Sequence, residues 1–154
     1  MALRPDRNEL QTDLSFFMNE TAERGIVVIH TGQGSGAAMD DSAAVVAIPT
    51  TVSNLNQGSP AGLLLNDVVD LDLTRQHINF AKDEMQKGGK CLLLRRGFVV
   101  TNMITGAITL GEQAYFSADG NLTSSSAYSG STVVGRWLSK KDADGYAKVD
   151  INIV

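Results

Sequence analysis

The last segment of the chain carries the clearest alternation of apolar and polar positions. Every second residue from Ala147 to Ile153 is apolar, and the residues between them are polar. This period of two is typical of a strand with one buried face. Residues 131–138 have the composition of an antiparallel partner, and the polar stretch 139–145, which ends in Gly145, would form the turn. The pattern predicts a β-hairpin at the end of the chain.

Short apolar runs separated by glycine-containing stretches continue this pattern upstream. They occupy residues 25–30, 43–48, 61–73 and 90–102, and three further short runs lie between 107 and 126. Gly97 interrupts the run 90–102, which predicts a bulge or bend. Asp119-Gly120 stands between two apolar runs and predicts a tight hairpin turn. Strands at intervals of about ten residues predict an all-β (mainly β) fold, a small sandwich or barrel.

One stretch favours a short helix. In residues 74–89, His77, Ala81 and Met85 recur at every fourth position, and two glycines end the segment. The sequence therefore predicts one short helix on the outside of the β-fold.

The N-terminal part divides into two. Residues 1–11 are polar and charged, and we expect an extended, flexible N-terminal arm, followed by a single β-rich domain at 12–154. Residues 12–24 fit both an alternating strand and a helical face, and periodicity leaves both open.

Composition excludes some partners. The 154 residues suit one domain, and 13 basic against 17 acidic residues give a net charge of −4. A general nucleic-acid binder would show a basic footprint, so we expect no direct nucleic-acid partner. We also expect no membrane partner, because no apolar run approaches the roughly 20 residues that span a bilayer.

The glycine-rich stretch after the first apolar run resembles a phosphate-binding loop only superficially. Gly32, Gly34 and Gly36 have neither the spacing of a dinucleotide fingerprint nor that of a P-loop, and no Lys or Arg lies between Arg24 and Arg75. A flexible loop between two strands is the better interpretation.

Candidate reactive groups are few. Cys91 is the single cysteine and lies in a strand-like run, which favours a small buried apolar role. With it, the two histidines His30 and His77 are too few for a typical zinc site. We therefore expect no catalytic, cofactor-binding or metal-binding residues and no enzymatic activity.

One acidic cluster keeps an alternative open. Asp67, Asp70 and Asp72 could hold a hard cation and serve a small metal-dependent hydrolase, although a solvated strand edge is the better explanation.

The final third of the chain resembles the decoration (cement) proteins of tailed-bacteriophage capsids. The matching motifs are Gly111–Tyr115, Ala118–Thr123, Val134–Trp137 and Lys148–Ile151. Upstream, residues 87–102 look like a central strand pair of these proteins, and residues 19–32 look like their opening strand.

This resemblance implies a non-catalytic structural virion protein on the outer surface of a phage head, assembled in the bacterial host cytoplasm. It would bind the major capsid protein and stabilise contacts between capsomers as a homo-oligomer, expected to be a trimer. The alternative is a β-rich tail-associated protein or a carbohydrate-binding module.

The resemblance also suggests interface residues. Polar contacts are assigned to Arg4, Arg7, Arg95 and Arg96, and the arm would clamp the capsid or a neighbour. Apolar burial is assigned to Phe16, Phe17, Phe98 and Trp137, for which the sequence leaves core and interface roles open.

Overall fold

A computed structural model describes residues 3–4, 6–13, 16–18, 20, 22–30, 45–49, 60–67, 84–85, 91–126 and 132–153. Within these ranges the chain forms twelve strands: β1 (Asn8–Asp13), β2 (Phe17–Met18), β3 (Ala22–Glu23), β4 (Val27–His30), β5 (Val45–Ala47), β6 (Pro60–Asp67), β7 (Glu84–Met85), β8 (Cys91–Thr101), β9 (Gln113–Phe116), β10 (Leu122–Thr123), β11 (Gly135–Trp137) and β12 (Ala147–Asn152).

Ten of these strands belong to one sheet. Its order is β10-β9-β11-β12-β8-β6-β4-β5-β2, and β1 pairs with β8 beside this path. Strands β3 and β7 form a separate pair. Apart from the parallel pair β2–β5, the named neighbours are antiparallel. The predicted all-β fold class is confirmed.

The sheet curls until β4 meets the β9–β10 hairpin. The Val27 N–H donates a hydrogen bond to the Gly120 carbonyl (2.7 Å), although five neighbour-to-neighbour steps separate β4 from β9 in the sheet. This closure gives a barrel-like lobe around a first core. Its buried members are Leu3, Val27, Ile29, Leu63, Leu65, Leu94, Val99, Ala114, Phe116, Leu122, Val134, Trp137, Ala147, Val149, Ile151 and Ile153.

The other end of the sheet curls the opposite way. The Cys91 N–H donates to the carbonyl of Phe16, just before β2, at 3.1 Å, so β2 returns to the start of β8. This second lobe encloses Met18, Ala22, Ile26, Val28, Val46, Ala61, Leu64, Cys91 and Leu93. Strands β4, β6 and β8 serve both lobes and bury side chains on both faces.

Strand β8 changes the phase of its alternation at Arg95–Arg96, immediately before Gly97. Before it, Leu94 faces the first core and Leu93 the second. After it, the odd-numbered Val99 faces the first core. The pairing register with β1 shifts at the same place, where Glu9 lies opposite Gly97 and Gln11 opposite Arg96. The predicted irregularity at Gly97 is confirmed.

Both predicted hairpins form. Leu122 pairs with Phe116 across a turn in which Gly120 has a φ of 82°. Trp137 pairs with Val149 across the turn 139–145. In that turn one carboxylate oxygen of Asp142 accepts hydrogen bonds from the N–H groups of Asp144 and Tyr146, both at 2.9 Å. Asp142 therefore organises the turn, as aspartates at turn starts commonly do.

The prediction of a helix over residues 74–89 is wrong for Glu84–Met85. These residues form β7, in which Met85 pairs with Ala22 and Glu84 with Glu23. The rest of the segment lies outside the described residues, as do Asp70, Asp72 and the glycine-rich loop 31–44.

The N-terminal region is built from strands. Between residues 12 and 24 the described secondary-structure elements are the end of β1, β2 and β3, so the strand alternative is correct. The proposed boundary between arm and domain at residue 11 falls inside β1. Leu3, in the predicted flexible arm, is buried in the first core and forms a bridge with Thr101.

Replacing Gly97 by alanine tests the close approach of β1 to β8. Gly97 has a φ of 141°, and a Cβ there would overlap the backbone carbonyl oxygen of Asn8. We expect Gly97→Ala to lower the free energy of unfolding by about 3 kcal/mol or more. Gly145→Ala is the matched control, because Gly145 also has a positive φ, 85°, but open space around it. Its expected cost is about 1 kcal/mol. Equal losses for the two variants in urea unfolding would contradict the assigned contact.

Candidate interaction surface

One face of the first lobe is open to solvent. On β12, Ala147, Val149 and Ile151 point into the core, so Lys148, Asp150 and Asn152 point outward. Residues paired directly across antiparallel strands share a face. The register therefore extends this surface to Arg96, Phe98 and Val100 on β8, Arg136 on β11 and Gln113 on β9. We call these eight residues the outer face.

A single row of paired residues crosses five strands of this face. Gln113 pairs with Arg136, Arg136 with Asp150, Asp150 with Phe98, and Phe98 with Asn8 of β1. Each link comes from backbone pairing, so the spacing of these side chains is fixed by the sheet. The outer face is thus a preorganised surface.

The outer face is basic although the chain is acidic overall. It carries Arg96, Arg136 and Lys148 against the single acid Asp150, whereas the whole chain has a net charge of −4. The Lys148 ammonium lies 4.0 Å from the centroid of the Phe98 ring, which favours a cation–π contact. Phe98 is therefore half-buried beneath a positive charge and belongs to the face.

Two shallow grooves adjoin on this surface. One, of about 480 Å³, is lined by Gln11, Thr12, Asp13, Arg95, Arg96, Asn152 and Ile153. The other, of about 380 Å³, is lined by Gln113, Val133, Gly135, Arg136, Asp150 and Asn152. Asn152 is common to both. The predicted pair Arg95 and Arg96 thus lies beside three residues that the sequence argument did not single out, Arg136, Asp150 and Asn152.

Arg4 is held by its own chain. Its guanidinium lies 3.3 Å from carboxylate oxygens of both Asp142 and Asp144, and 4.0 Å from the centroid of the Tyr146 ring. The backbone N–H of Arg4 donates a hydrogen bond to the Val100 carbonyl at 2.9 Å. These contacts fasten the start of the chain to the turn before β12.

The remaining predicted contacts lie on the N-terminal segments. Arg7 pairs with Glu9 at 2.7 Å, beside the outer face at β1. Phe16 packs against the second core, and its ring meets the His30 ring edge-on at 5.1 Å between centroids. Phe17 is half-buried in β2.

Trp137 lies in the core of the first lobe. Its side chain is fully buried in the first core, so within a single folded chain it presents no surface to a partner. The sequence left core and interface open for this residue because an apolar strand position is compatible with both.

The reactive side chains do not form a catalytic group in the described residues. The Cys91 thiol donates to the Phe16 carbonyl at 3.3 Å, and burial raises the pKa of this thiol to about 12. A thiol held protonated in this way is a poor nucleophile at neutral pH. Burial lowers the pKa of His30, with Arg95 acting in the same direction and Asp13 opposing it. His77 lies outside the described residues.

The described residues contain neither a cluster of metal ligands nor a membrane-spanning helix. Nowhere in the described ranges do three or more His, Cys, Asp or Glu side chains gather as metal ligands would. In the same part of the chain, no helix has the length and apolar character required to cross a membrane.

The fold and the outer face define a small all-β protein that presents one broad, basic sheet surface. The profile of the XM1 gp53 minor capsid protein family matches residues 6–153, and the chain belongs to this family. No curated protein gives a significant match. Membership confirms the predicted association with a phage capsid and a structural role in the virion. A structural capsid role also favours the prediction that the chain is not an enzyme.

The turn around Asp142 gives a prediction about pH. The Tyr146 N–H holds the pKa of the Asp142 carboxyl below its usual range; the Asp144 N–H and Arg4 act in the same direction, and desolvation opposes them. A lowered pKa means that the turn contacts contribute stability at neutral pH and lose it as the pH falls through that pKa. In Arg4→Ala, the pKa of Asp142 should rise slightly and stay below its usual value, because the backbone donors remain. Carboxyl NMR titration measures it, and a return to the ordinary value would show that Arg4 dominates.

Proposed function

We propose that this minor capsid protein is a decoration, or cement, protein. In this proposal it binds the exterior of the phage head, contacts the major capsid protein through its outer face, and stabilises contacts between capsomers as a homo-oligomer, with a trimer as the expected form. Capsid family membership supports the setting, and the outer face supports the mode of action.

The observation that carries the proposal is the placement of charge. A chain of net charge −4 has three basic residues and one acidic residue on one solvent-exposed sheet surface. Complementary charge across an interface increases association rate and specificity more than raw affinity. An acidic region on the capsid shell would therefore be the matching partner.

The two grooves of the outer face suit adhesion to a protein surface. The two grooves are shallow, and because they share Asn152 they form one continuous depression along the outer face. Arg95 and Phe98 lie at or beside it, and Arg4 and Arg7 lie on the segment along its β1 side. In the proposal these residues make the polar and apolar contacts with the shell.

Multivalency supplies the strength that one small face lacks. Linked copies convert later contacts into intramolecular ones, so avidity exceeds the affinity of each contact. An oligomer spanning adjacent capsomers would in this way resist their separation.

Uptake by heads that lack the protein tests the proposal. Purified protein should bind such heads to saturation and raise the temperature at which they release DNA, as followed by sedimentation and dye accessibility. Absence of uptake, or uptake by tails alone, would reject the proposed role; the second result would favour a tail-associated protein.

Charge reversal on the outer face tests the binding surface. Arg96→Glu combined with Arg136→Glu should weaken uptake by about tenfold or more, because like charges now meet across the interface. Arg96→Lys combined with Arg136→Lys is the control, since it keeps the charge. Thermal unfolding should show that both variants fold as the wild type does. Unchanged uptake by the glutamate variant would place the binding surface elsewhere.

A further inference from the structure

A pair of exposed leucines lies at one end of the first lobe. Leu110 is 58% exposed and Leu138 is 42% exposed. The Gly111 N–H donates to the Trp137 carbonyl at 3.0 Å, which brings the chain at 110–111 alongside 137–138. Lys140 and Lys141 follow in the exposed turn. We call Leu110, Leu138, Lys140 and Lys141 the basic knob.

A groove of opposite character lies at the other end of β9. It has a volume of about 400 Å³ and is lined by Ala22, Glu23, Ile26, Ile48, Met103, Asp119 and Asn121. The apolar residues among these are buried or half-buried, and both carboxylates are exposed. Register also places Glu84 opposite Glu23. We call this the acidic groove.

The two features cannot meet within one chain at their present positions. The knob adjoins the start of β9, where Gly111 and Glu112 precede Gln113, whereas Asp119 lies in the hairpin after Phe116. Four strand residues separate these ends, a distance of roughly 10 Å or more. Among the described residues, the knob therefore does not fill the groove of its own chain, and a second copy can bring the two together.

We propose that the acidic groove receives the basic knob of a second copy of this chain. Both are apolar at the centre, and their rims carry opposite charges: Lys140 and Lys141 on the knob, and Glu23 and Asp119 on the groove. Charges of the other sign lie beside both patches: Arg24 beside the groove, and Glu112, Asp142 and Asp144 beside the knob. Asp142 and Asp144 are paired with the Arg4 guanidinium of the same chain, so Lys140 and Lys141 carry the positive charge of the knob. The apolar centres would supply burial, and the charged rims would set the register.

Such a contact is head-to-tail, because it joins two different surfaces. Repeated head-to-tail contacts close into a ring when the rotation between copies permits it. The inference rests on the oligomer in the proposed function and specifies which surfaces form it. The Leu138 N–H donates to the Lys148 carbonyl at 2.9 Å, so the knob borders the outer face at its Lys148 end. The grooves that meet at Asn152 lie at the other end of β12, where they remain available to the shell.

Paired charge reversals test the contact in the absence of capsids. Lys140→Glu/Lys141→Glu and Glu23→Lys/Asp119→Lys should each raise the dissociation constant for self-association at least about tenfold. The combined fourfold variant should recover self-association. An equal mixture of the two double variants should associate through unlike copies. Analytical ultracentrifugation measures the species, and circular dichroism checks the fold.

A leucine exchange provides a second, independent variant. Leu138→Asp should also dissociate the oligomer, because it places a charge at the apolar centre of the contact. Leu10→Asp is the matched control, since Leu10 is 71% exposed on β1 and belongs to neither feature. It should leave self-association unchanged.

The results separate this inference from the proposed function. A wild-type chain that is monomeric at about 100 µM, well above the dissociation constant of a micromolar interface, would overturn it without affecting capsid uptake. Oligomers that persist in all the variants would also overturn it. Variants that stay oligomeric and lose capsid uptake would assign the groove to the shell and likewise reject a second copy as its occupant.

Discussion

The architecture depends on how β8 divides its side chains between two cores. A strand places successive side chains on opposite faces, so a strand that serves two lobes must be apolar on both faces, and one that borders solvent must not. The first half of β8 buries Leu93 and Leu94 on opposite faces, whereas its second half keeps only alternate residues inside. The phase shift at Arg95–Arg96, next to Gly97, makes this change possible within one continuous strand. It also determines where the outer face begins on β8, which is at Arg96.

Local alternation predicted much of the first lobe. The period of two in β12 defined its buried and exposed faces, so Lys148, Asp150 and Asn152 could have been recognised as one polar surface from the sequence. The hairpin turns at Gly120 and Gly145 followed from residues that adopt a positive φ readily. In contrast, joining that surface to Arg136 and Gln113 required the register between strands, which a single sequence does not specify.

The failures have physical causes. A spacing of four residues is close to one turn of a helix and equals two repeats of a strand, so it fits both. Pairing of Met85 with Ala22 of β3 determines the outcome. Trp137 was ambiguous because burial inside a chain and burial between chains select the same apolar side chain. The two-lobed curvature rests on long-range hydrogen bonds such as Val27 to Gly120, which have no local signal. The phage resemblance agreed with the family at the level of the capsid, while the cement role remains a proposal.

Strand β1 tolerates a wide choice of residues. It is held to β8 by main-chain pairing, and all of its side chains except that of Asp13 are exposed. Few packing demands therefore restrict which residues occupy these positions, since any sequence that tolerates an extended backbone can keep the strand in place. Substitutions in β1 can therefore change the charge and polarity of this edge of the sheet without disturbing the core. If this edge contacts a capsid, it could adapt to a different shell with little loss of folding stability.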